Sequence, residues 1–224
     1  MSSESSPPVL RRSQLYHWHQ QQGAAFAMTG STLRVLRYPD EQAPALSLTD
    51  LSTHPRVGFK GVGTRQWLRQ LAIDMPQTPN CATRQPDGSL LARLSEHEHL
   101  LLDNLAADAP LPAELLRRWE LEQPSQCYAL PRADSHSWMI LAGADAAAMM
   151  SSLCAVDLRP QQFADGSIAQ TSVARTNTIV IRDDNHGLRY HLLCDASTAL
   201  YLWNILLESV TAFGGQATGL EHLL

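Results

Sequence analysis

A strand–glycine–helix unit that occurs twice is the feature that most constrains this fold. Gly61 and Gly143 each follow an apolar, strand-like run, and a helix-forming segment follows each glycine. The two glycines are 82 positions apart, and each helix leads into a short apolar–Asp–apolar stretch. A unit of this size cannot bury its own apolar face, so a duplication would pack both copies on a shared sheet. Because such units are common, a chance match is the alternative.

Alternating apolar positions and turn signals predict further elements around the two units. The predicted strands are 33–37, 46–48, 81–84, 90–94, 97–102, 168–173, 177–181 and 188–194, and residues 125–130 are predicted to be extended. The predicted helices cover 13–22, 64–71, 113–121, 144–153 and about 197–213. The side chains expected in the core are Trp67, Leu68, Leu71, Met149, Leu153 and Trp203. Mixed helices and strands in this order predict an α+β fold.

Composition divides the 224 residues into a leader, one domain and a tail. Residues 1–12 are rich in Ser and Pro and lack the apolar region of a signal peptide, which predicts a disordered leader. Residues 13–215 are predicted to form the domain, with halves of about 13–130 and 131–215 that meet at a polar stretch. Residues 216–224 follow two glycines and are predicted to be a loosely held tail.

Charge and cysteine usage exclude several classes of protein. The net charge of −5 argues against a nucleic-acid binder, which would carry a basic stripe. No apolar run reaches the roughly 18 residues that span a membrane. The four cysteines, Cys81, Cys127, Cys154 and Cys194, are far apart and form no C-x-x-C motif. They predict reduced, buried thiols in a cytoplasmic protein rather than disulfides or a metal site.

The residues alone predict neither a catalytic nor a metal site. There is no Walker A, no G-x-S-x-G and no G-x-G-x-x-G after a strand. His17 and His19 lie roughly 200° apart around a helix and cannot hold one ion together. His97 and His99 would share one strand face, which could begin a metal site, but no third ligand follows. His97 and His99 are therefore predicted to face solvent.

Three stretches carry a resemblance to a known family. Residues 48–71 hold Asp-Leu-Ser, then a strand, a glycine and a helix, and residues 87–102 hold paired hairpin strands. Residues 154–173 hold Cys-x-x-Asp-Leu-x-Pro and then Ala-Gln-Thr, and Leu200-Tyr-Leu-Trp lies in the last helix. In these stretches the chain resembles the aminomethyltransferase (glycine cleavage T-protein) folate-binding family. It is most similar to the short members of that family, the gamma subunits of heterotetrameric sarcosine oxidases.

The resemblance implies two ferredoxin-like β-α-β halves sharing antiparallel sheets, as in the folate-binding domain of aminomethyltransferases. It implies a non-catalytic subunit, inactive alone, of a sarcosine oxidase-type flavin amine oxidase linked to one-carbon metabolism. The implied partners are alpha and beta subunits, which would carry FAD, FMN and NAD. No cofactor is expected on this chain alone; tetrahydrofolate is the candidate ligand, with Asp87 and Arg175 as its candidate binding residues. A stand-alone folate-binding or aminomethyltransferase-like protein is the alternative.

Departures from the family pattern lower the expected affinity for folate. The paired aspartates of the family are reduced to Asp87, the glycine loop after Arg175-Thr176 is replaced, and no glutamate follows Gly187. A pterin amidine edge pairs best with a carboxylate, so this chain is predicted to bind folate weakly or not at all.

Apolar residues near both ends are predicted to dock on a partner, although Trp18 packing on its own domain is an equal alternative. The predicted docking residues are Leu15, Tyr16, Trp18, Leu220, Leu223 and Leu224.

Overall fold

The computed structural model describes residues 10–105 and 110–223. Its helices are α1 (Tyr16–Gln21), α2 (Thr64–Gln70), α3 (Leu111–Glu122), α4 (Arg132–Ser135), α5 (Ala146–Met150) and α6 (Ala199–Ala212). Its strands are β1 (Ala25–Thr29), β2 (Thr32–Arg37), β3 (Leu46–Asp50), β4 (Arg56–Lys60), β5 (Cys81–Arg84), β6 (Leu90–Arg93), β7 (Glu98–Leu102), β8 (Tyr128–Leu130), β9 (His136–Gly143), β10 (Ile168–Val173), β11 (Thr176–Asp183), β12 (Arg189–Asp195) and β13 (Gln216–Thr218). Short 3₁₀ turns cover Ala196–Thr198 and Leu220–His222.

The strands form a hairpin, β1–β2, and two larger sheets that repeat one topology. The five-stranded sheet has the order β5-β6-β7-β4-β8, and the six-stranded sheet has the order β10-β11-β12-β9-β3-β13. Helix α2 follows β4 as α5 follows β9, and α3 and α6 occupy matching places later in each half. The α+β fold with antiparallel sheets is confirmed. The expectation of one shared sheet is wrong, because each copy builds its own sheet.

The two sheets meet in two ways. Their edges join where Ala82 N donates to Gly166 O (2.7 Å) and Ile168 N donates to Asn80 O (3.0 Å). Their faces enclose an apolar cluster that includes Leu100, Leu102, Trp138, Ile140 and Leu193. Helices cover the two outer faces, so β9 is apolar on both sides: alternate residues point into the layer between the sheets and towards α5 and α6.

The two glycines that mark the repeat hold the same backbone conformation. Gly61 has φ +135° and Gly143 has φ +138°, a region that side-chain-bearing residues avoid. A Cβ atom on Gly61 would lie 2.0 Å from Gln126 O, and one on Gly143 would lie 2.1 Å from Ala45 O. Each glycine therefore lets a neighbouring chain segment approach the end of the strand closely.

The predicted elements and core are mostly observed. Trp67, Leu68, Met149 and Trp203 are buried, while Leu71 and Leu153 are half-buried at the edges of their clusters. Helix α5 is shorter than predicted, since the hydroxyls of Ser151 and Ser152 bond to the carbonyls of residues 148 and 149 as the helix ends. Strand β1 was not predicted; it depends on the tight turn at Gly30, which has φ +59°.

The expectation of a loosely held tail is wrong for residues 216–223. Strand β13 pairs in parallel with β3, and Leu220 and Leu223 are buried in the apolar layer between the sheets. Burial of these apolar side chains and pairing of the strand hold the segment in place. At the other end, residues 1–9 of the predicted leader lie outside the described part of the chain. Arg11, placed in the leader, donates to Ala133 O (2.7 Å) and pairs with Asp134.

The predicted docking residues belong mainly to the core of the chain itself. Leu15, Leu220 and Leu223 are buried, and Leu224 lies outside the described residues. Trp18 packs edge-to-face on Trp203 with ring centroids 5.1 Å apart. The alternative, that Trp18 packs on its own domain, is therefore correct. Tyr16 is half-buried and stacks obliquely against Phe26. Apolar side chains at the ends of the sequence are used to close this fold rather than to present a surface.

The cysteines are free thiols, with Cys127, Cys154 and Cys194 buried and Cys81 half-buried. Within residues 10–105 and 110–223, no three His, Cys, Asp or Glu side chains are placed to hold a metal ion. In the same residues, no helix has both the length and the apolar character needed to cross a bilayer. The prediction for His99 is wrong: this side chain is fully buried, whereas His97 is exposed.

Candidate functional site

A cavity of about 250 Å³ lies between the two sheets, beside the turns that end the β5–β6 and β11–β12 hairpins. Charged groups from both sheets reach it, which is uncommon for a space between two apolar faces. Its lining consists of Arg84, Asp87, Gly88, Leu90, Asp103, Asn104, Leu105, Ile140, Asp183, Asn185, His186, Arg189, His191 and Leu223.

One wall of the cavity is a chain of hydrogen bonds centred on Asp183. Arg84 Nη2 pairs with Asp183 Oδ1 at 2.5 Å, and His191 Nε2 lies 3.2 Å from Asp183 Oδ2. Trp138 Nε1 donates to His191 Nδ1 (3.1 Å). Because Nδ1 accepts this bond, the ring proton of His191 lies on Nε2. Burial alone would raise the pKa of Asp183, but the hydrogen bond from His191 and the charge of Arg84 hold it below the usual range. This group is internally neutralised.

Asp103 contributes a carboxylate that the fold leaves half satisfied. It directly follows β7, its backbone N–H donates to Pro55 O (3.2 Å), and only 6% of the residue is exposed. Its Oδ1 is buried without a hydrogen-bond partner, and burial raises the pKa of the carboxyl group. Leaving a buried carboxylate oxygen unpaired costs free energy, so a native site normally supplies a partner.

Arg189 begins β12, in the other sheet, and is the second incompletely satisfied charge. Its Nη2 donates weakly to Leu223 O (3.3 Å), while its Nε is buried without a partner. Burial lowers the pKa of Arg189, and the carboxylate of Asp183 opposes that effect. Asp103 and Arg189 lie on strands of opposite sheets, so the cavity presents one incompletely paired charge of each sign on its two walls.

The two residues predicted to bind folate are not brought together. Asp87 lines the cavity, but its Oδ1 accepts from the N–H (2.9 Å) and hydroxyl (2.6 Å) of Ser89 and so stabilises the β5–β6 turn. Arg175 is exposed on the turn between β10 and β11, with φ +65°, and does not line the cavity. Their role as folate-binding residues stays a prediction.

A second buried polar group joins α1 to β3. Asp50 accepts hydrogen bonds from Ser13 Oγ and Ser52 N and lies 2.9 Å from His19 Nε2, while His19 Nδ1 lies 2.7 Å from Tyr38 Oη. Burial opposes ionisation of Asp50, yet the His19 contact lowers the pKa of its carboxyl group. No side chain of this group is left free, which indicates a structural role in fixing α1 and the β1–β2 hairpin.

A wider, open cleft of about 520 Å³ lies at another end of the sheets, beside Glu98, Arg132 and His136. Glu98 pairs with Lys60 (3.0 Å) and with Arg132, which also contacts His136. Burial, reinforced by Arg132 and Arg56, lowers the pKa of His136 to about 4, so the imidazole is neutral at neutral pH. Both charges of Glu98 and Arg132 are compensated, so the smaller cavity is the better candidate site.

Sequence reasoning did not identify Arg84, Asp103, Asp183 or Arg189. They come from four strands or strand ends that are separated by up to about 100 positions, and no local spacing links them. A weak signal existed: charged residues at the ends of otherwise apolar runs, as in Leu100–Asp103. Only the face-to-face arrangement of the sheets brings these charges to one space.

No protein-family model matches the chain, and no curated protein sequence matches it. Solved structures do. One chain of a heterotetrameric sarcosine oxidase from Corynebacterium sp. U-96 aligns with a TM-score of 0.68 and 19% identity, over 91% of this chain and 96% of that one. The glycine cleavage system aminomethyltransferase T from Bartonella henselae aligns with a TM-score of 0.67 and 16% identity, over 95% of this chain and 60% of that one.

The TM-scores of 0.68 and 0.67 establish a common fold with both structures. The chain spans about three fifths of the aminomethyltransferase and nearly all of the oxidase chain, which has a similar length. Two sheets in the observed order, each with its glycine-led helix, are therefore an aminomethyltransferase fold, present also in one chain of a heterotetrameric sarcosine oxidase.

Proposed function

We propose that this chain is a non-catalytic, gamma-like subunit of a sarcosine oxidase-type flavin amine oxidase. The observation that carries the proposal is the coverage of the alignment: 96% of one chain of a heterotetrameric oxidase corresponds to this chain. This chain aligns with nearly all of that oxidase chain but with only 60% of the aminomethyltransferase. Alpha and beta subunits would be its partners, and they would carry FAD, FMN and NAD.

The chemistry of the cavity supports a role without catalysis by this chain. Its described lining contains no Ser, Thr, Cys, Tyr or Lys that a base could activate as a nucleophile. Of the two histidines in the lining, His191 already holds Asp183 and Trp138 through its two ring nitrogens, and His186 is exposed. These groups are arranged to hold the sheets and to bind, rather than to transfer a group.

The alternative, a stand-alone folate-binding or aminomethyltransferase-like protein, requires room for a whole folate. The cavity of about 250 Å³ is smaller than the roughly 300–1,000 Å³ of typical sites for ligands of that size. Leu223 occupies one side of the space, Asp87 is engaged in its own turn, and Arg175 lies elsewhere. The residues present do not fit a whole folate molecule in this cavity.

The outer face of α6 is the surface that we assign to the partner subunit. Leu200 and Tyr201, in its first turn, are each 49% exposed, and Phe213 is exposed just after its end. The matching helix α3 also exposes Leu116 and Leu121, but its surface is ion-paired as well: Glu114 accepts from Arg117 (2.9 Å) and Arg118 (2.8 Å). Apolar and aromatic residues are enriched in the buried centres of subunit interfaces, whereas charged residues are depleted there.

Co-expression tests the subunit proposal. The tagged full chain is produced with the alpha and beta subunits of a sarcosine oxidase-type enzyme from the same source, and the complex is measured by size-exclusion chromatography with light scattering. We expect a stoichiometric complex and a large fall in recovery for the Leu200→Asp/Tyr201→Asp variant. Leu121→Asp, at an exposed apolar site on α3, is the matched control and should assemble normally. A monomeric chain that recovers no oxidase subunit would refute the subunit role.

Calorimetric titration with tetrahydrofolate tests the alternative. The full chain alone is expected to show no stoichiometric site of micromolar or tighter affinity. A site of that affinity that is weakened by Arg175→Gln would support the folate-binding alternative instead. Circular dichroism of the variant controls for folding, and Arg175 is an exposed turn residue whose replacement leaves the core intact.

A further inference from the structure

We propose that the cavity between the sheets binds a small zwitterionic aminocarboxylate, with its carboxylate on Arg189 and its ammonium group on Asp103. The proposal goes beyond the subunit role, because it concerns a ligand of this chain and needs no partner. It depends on two charged side chains of opposite sign that line one space and are left incompletely paired by the rest of the protein.

The charged side chains beside Asp103 and Arg189 are already paired with one another, so Asp103 and Arg189 are the groups available to a ligand. Asp183 is compensated by Arg84 at 2.5 Å and by His191, and the Arg84 Nη1 donates to Gly88 O. Asp183, Arg84 and His191 together therefore offer no uncompensated charge of either sign. Asp103 Oδ1 has no hydrogen-bond partner, and Arg189 Nε has none either.

Their positions on opposite walls favour one ligand with two charged ends. Asp103 follows β7 in the five-stranded sheet, and Arg189 begins β12 in the six-stranded sheet. Asp183 and Arg84 are the charged residues that shift the pKa of Arg189. Arg34 is the cation that acts on the pKa of Asp103, so Asp103 and Arg189 do not neutralise each other directly. A guanidinium binds a carboxylate through paired N–H donors, and a carboxylate binds an ammonium group through a charge-assisted hydrogen bond. An anion or a cation alone would leave the other wall unpaired.

The volume and the apolar part of the lining set the size of the ligand. A space of about 250 Å³ corresponds to roughly eight water molecules, so it admits a molecule of up to about eight heavy atoms, and it lies below the roughly 300 Å³ at which sites for larger ligands begin. The apolar part of the lining consists of Leu90, Leu105, Ile140 and Leu223, which suits a short methylene chain between the two charged ends of the ligand. The ligand class is therefore an amino acid without a large side chain.

The test is a calorimetric titration of the full chain with glycine, β-alanine and 4-aminobutyrate, which differ only in the spacing of their two charges. We expect one member of the series to bind in a 1:1 ratio. Acetate and methylammonium each carry one of the charges and should bind at least about tenfold more weakly than that member. No heat with any of the three at concentrations of about 10 mM, or equal binding of acetate, would overturn the proposal.

Variants locate the site. Asp103→Asn and Arg189→Gln should each weaken binding by roughly tenfold or more, since each removes one charge-assisted contact. Asp87→Asn is the matched control: it removes a carboxylate at the same cavity whose oxygen is already engaged by Ser89, and affinity should stay within about twofold. Equal weakening by Asp87→Asn and Asp103→Asn would refute the assignment. If Asp103→Asn does not fold, as judged by circular dichroism, Arg189→Gln and the half-ligands decide the question. Failure of binding leaves the co-expression result unaffected, so the two proposals are distinguishable.

Discussion

The two halves of the molecule repeat one topology but differ in what lies beside the central strand. In the five-stranded sheet β4 lies next to β8, which comes later in the same half. In the six-stranded sheet β9 lies next to β3, which precedes both units in the chain, and β13 lies beyond it. Gly61 therefore faces Gln126 O of its own half, whereas Gly143 faces Ala45 O at the start of β3.

The difference shows how a duplicated unit becomes one cooperative domain. Strand β3 joins residues from before the first unit to the sheet of the second, and the segment after β13 returns Leu220 and Leu223 to the layer between the sheets. All strands of the five-stranded sheet lie within residues 56–130, whereas the six-stranded sheet takes β3 from the first half. The second half should therefore be sensitive to changes at both ends of the sequence.

The largest expected effect is that of truncation after Gly215. It removes β13 from the six-stranded sheet and two buried leucine side chains, each of which contributes about 1.5–3 kcal/mol, so the free energy of unfolding should fall by about 3–6 kcal/mol. Urea denaturation followed by tryptophan fluorescence measures it. Phe213→Ala, which truncates an exposed ring two positions earlier, is the control and should change little. A truncated chain that unfolds at the same urea concentration as the full chain would contradict the placement of this segment.

Alanine at the two repeat glycines should have the next largest effect. A residue with a Cβ at φ near +135° is strained, and the Cβ would lie about 2 Å from a carbonyl oxygen, so each variant should lose about 2–6 kcal/mol. Thermal and urea unfolding of Gly61→Ala and Gly143→Ala provide the comparison between halves. At Gly30, φ is also positive but no atom lies near the added Cβ, so Gly30→Ala should lose only about 1–2 kcal/mol. Losses no greater than that control would show that the close approach is absent.

The smallest predicted effect is the contribution of His99 to the pH dependence of stability, beside those of His54 and His136, whose pKa values burial also lowers. His99, in the five-stranded sheet, has both ring nitrogens unpartnered, and burial, with Arg93 and Arg65 nearby, lowers its pKa to about 4. An unfolded histidine has a pKa of about 6.5, so the unfolded chain binds the extra proton as the pH falls below that value. The stabilisation is therefore complete above about pH 6.5 and is lost as the pH falls towards 4.

His191, in the six-stranded sheet, is the histidine with which His99 is compared, because it has hydrogen bonds at both ring nitrogens. His99→Leu should remove about 1–3 kcal/mol of the decline in unfolding free energy between pH 7 and pH 4, measured by urea titrations across that range. His97→Leu alters an exposed neighbour and should leave the decline unchanged. An unaltered decline in the His99→Leu variant would mean that other buried groups account for it.

The sequence by itself determined most of the secondary structure and the repeat. Alternating apolar residues and turn signals are local properties, so they predicted strands such as β5, β6 and β10 within one or two residues. Gly61 and Gly143 can also be recognised from the local sequence, because few residues other than glycine end a strand with that backbone angle. The family resemblance pointed to the fold that the structural neighbours share.

Only the tertiary structure decided which residues meet. The placement of β3 in the second sheet, the burial of Leu220 and Leu223, and the pairing of His19 with Asp50 join positions far apart in the chain. The incompletely paired charges of Asp103 and Arg189 came to one cavity in the same way. Hydrogen bonds and burial depend on distance in space, and composition and periodicity carry no information about which distant segments pack face to face.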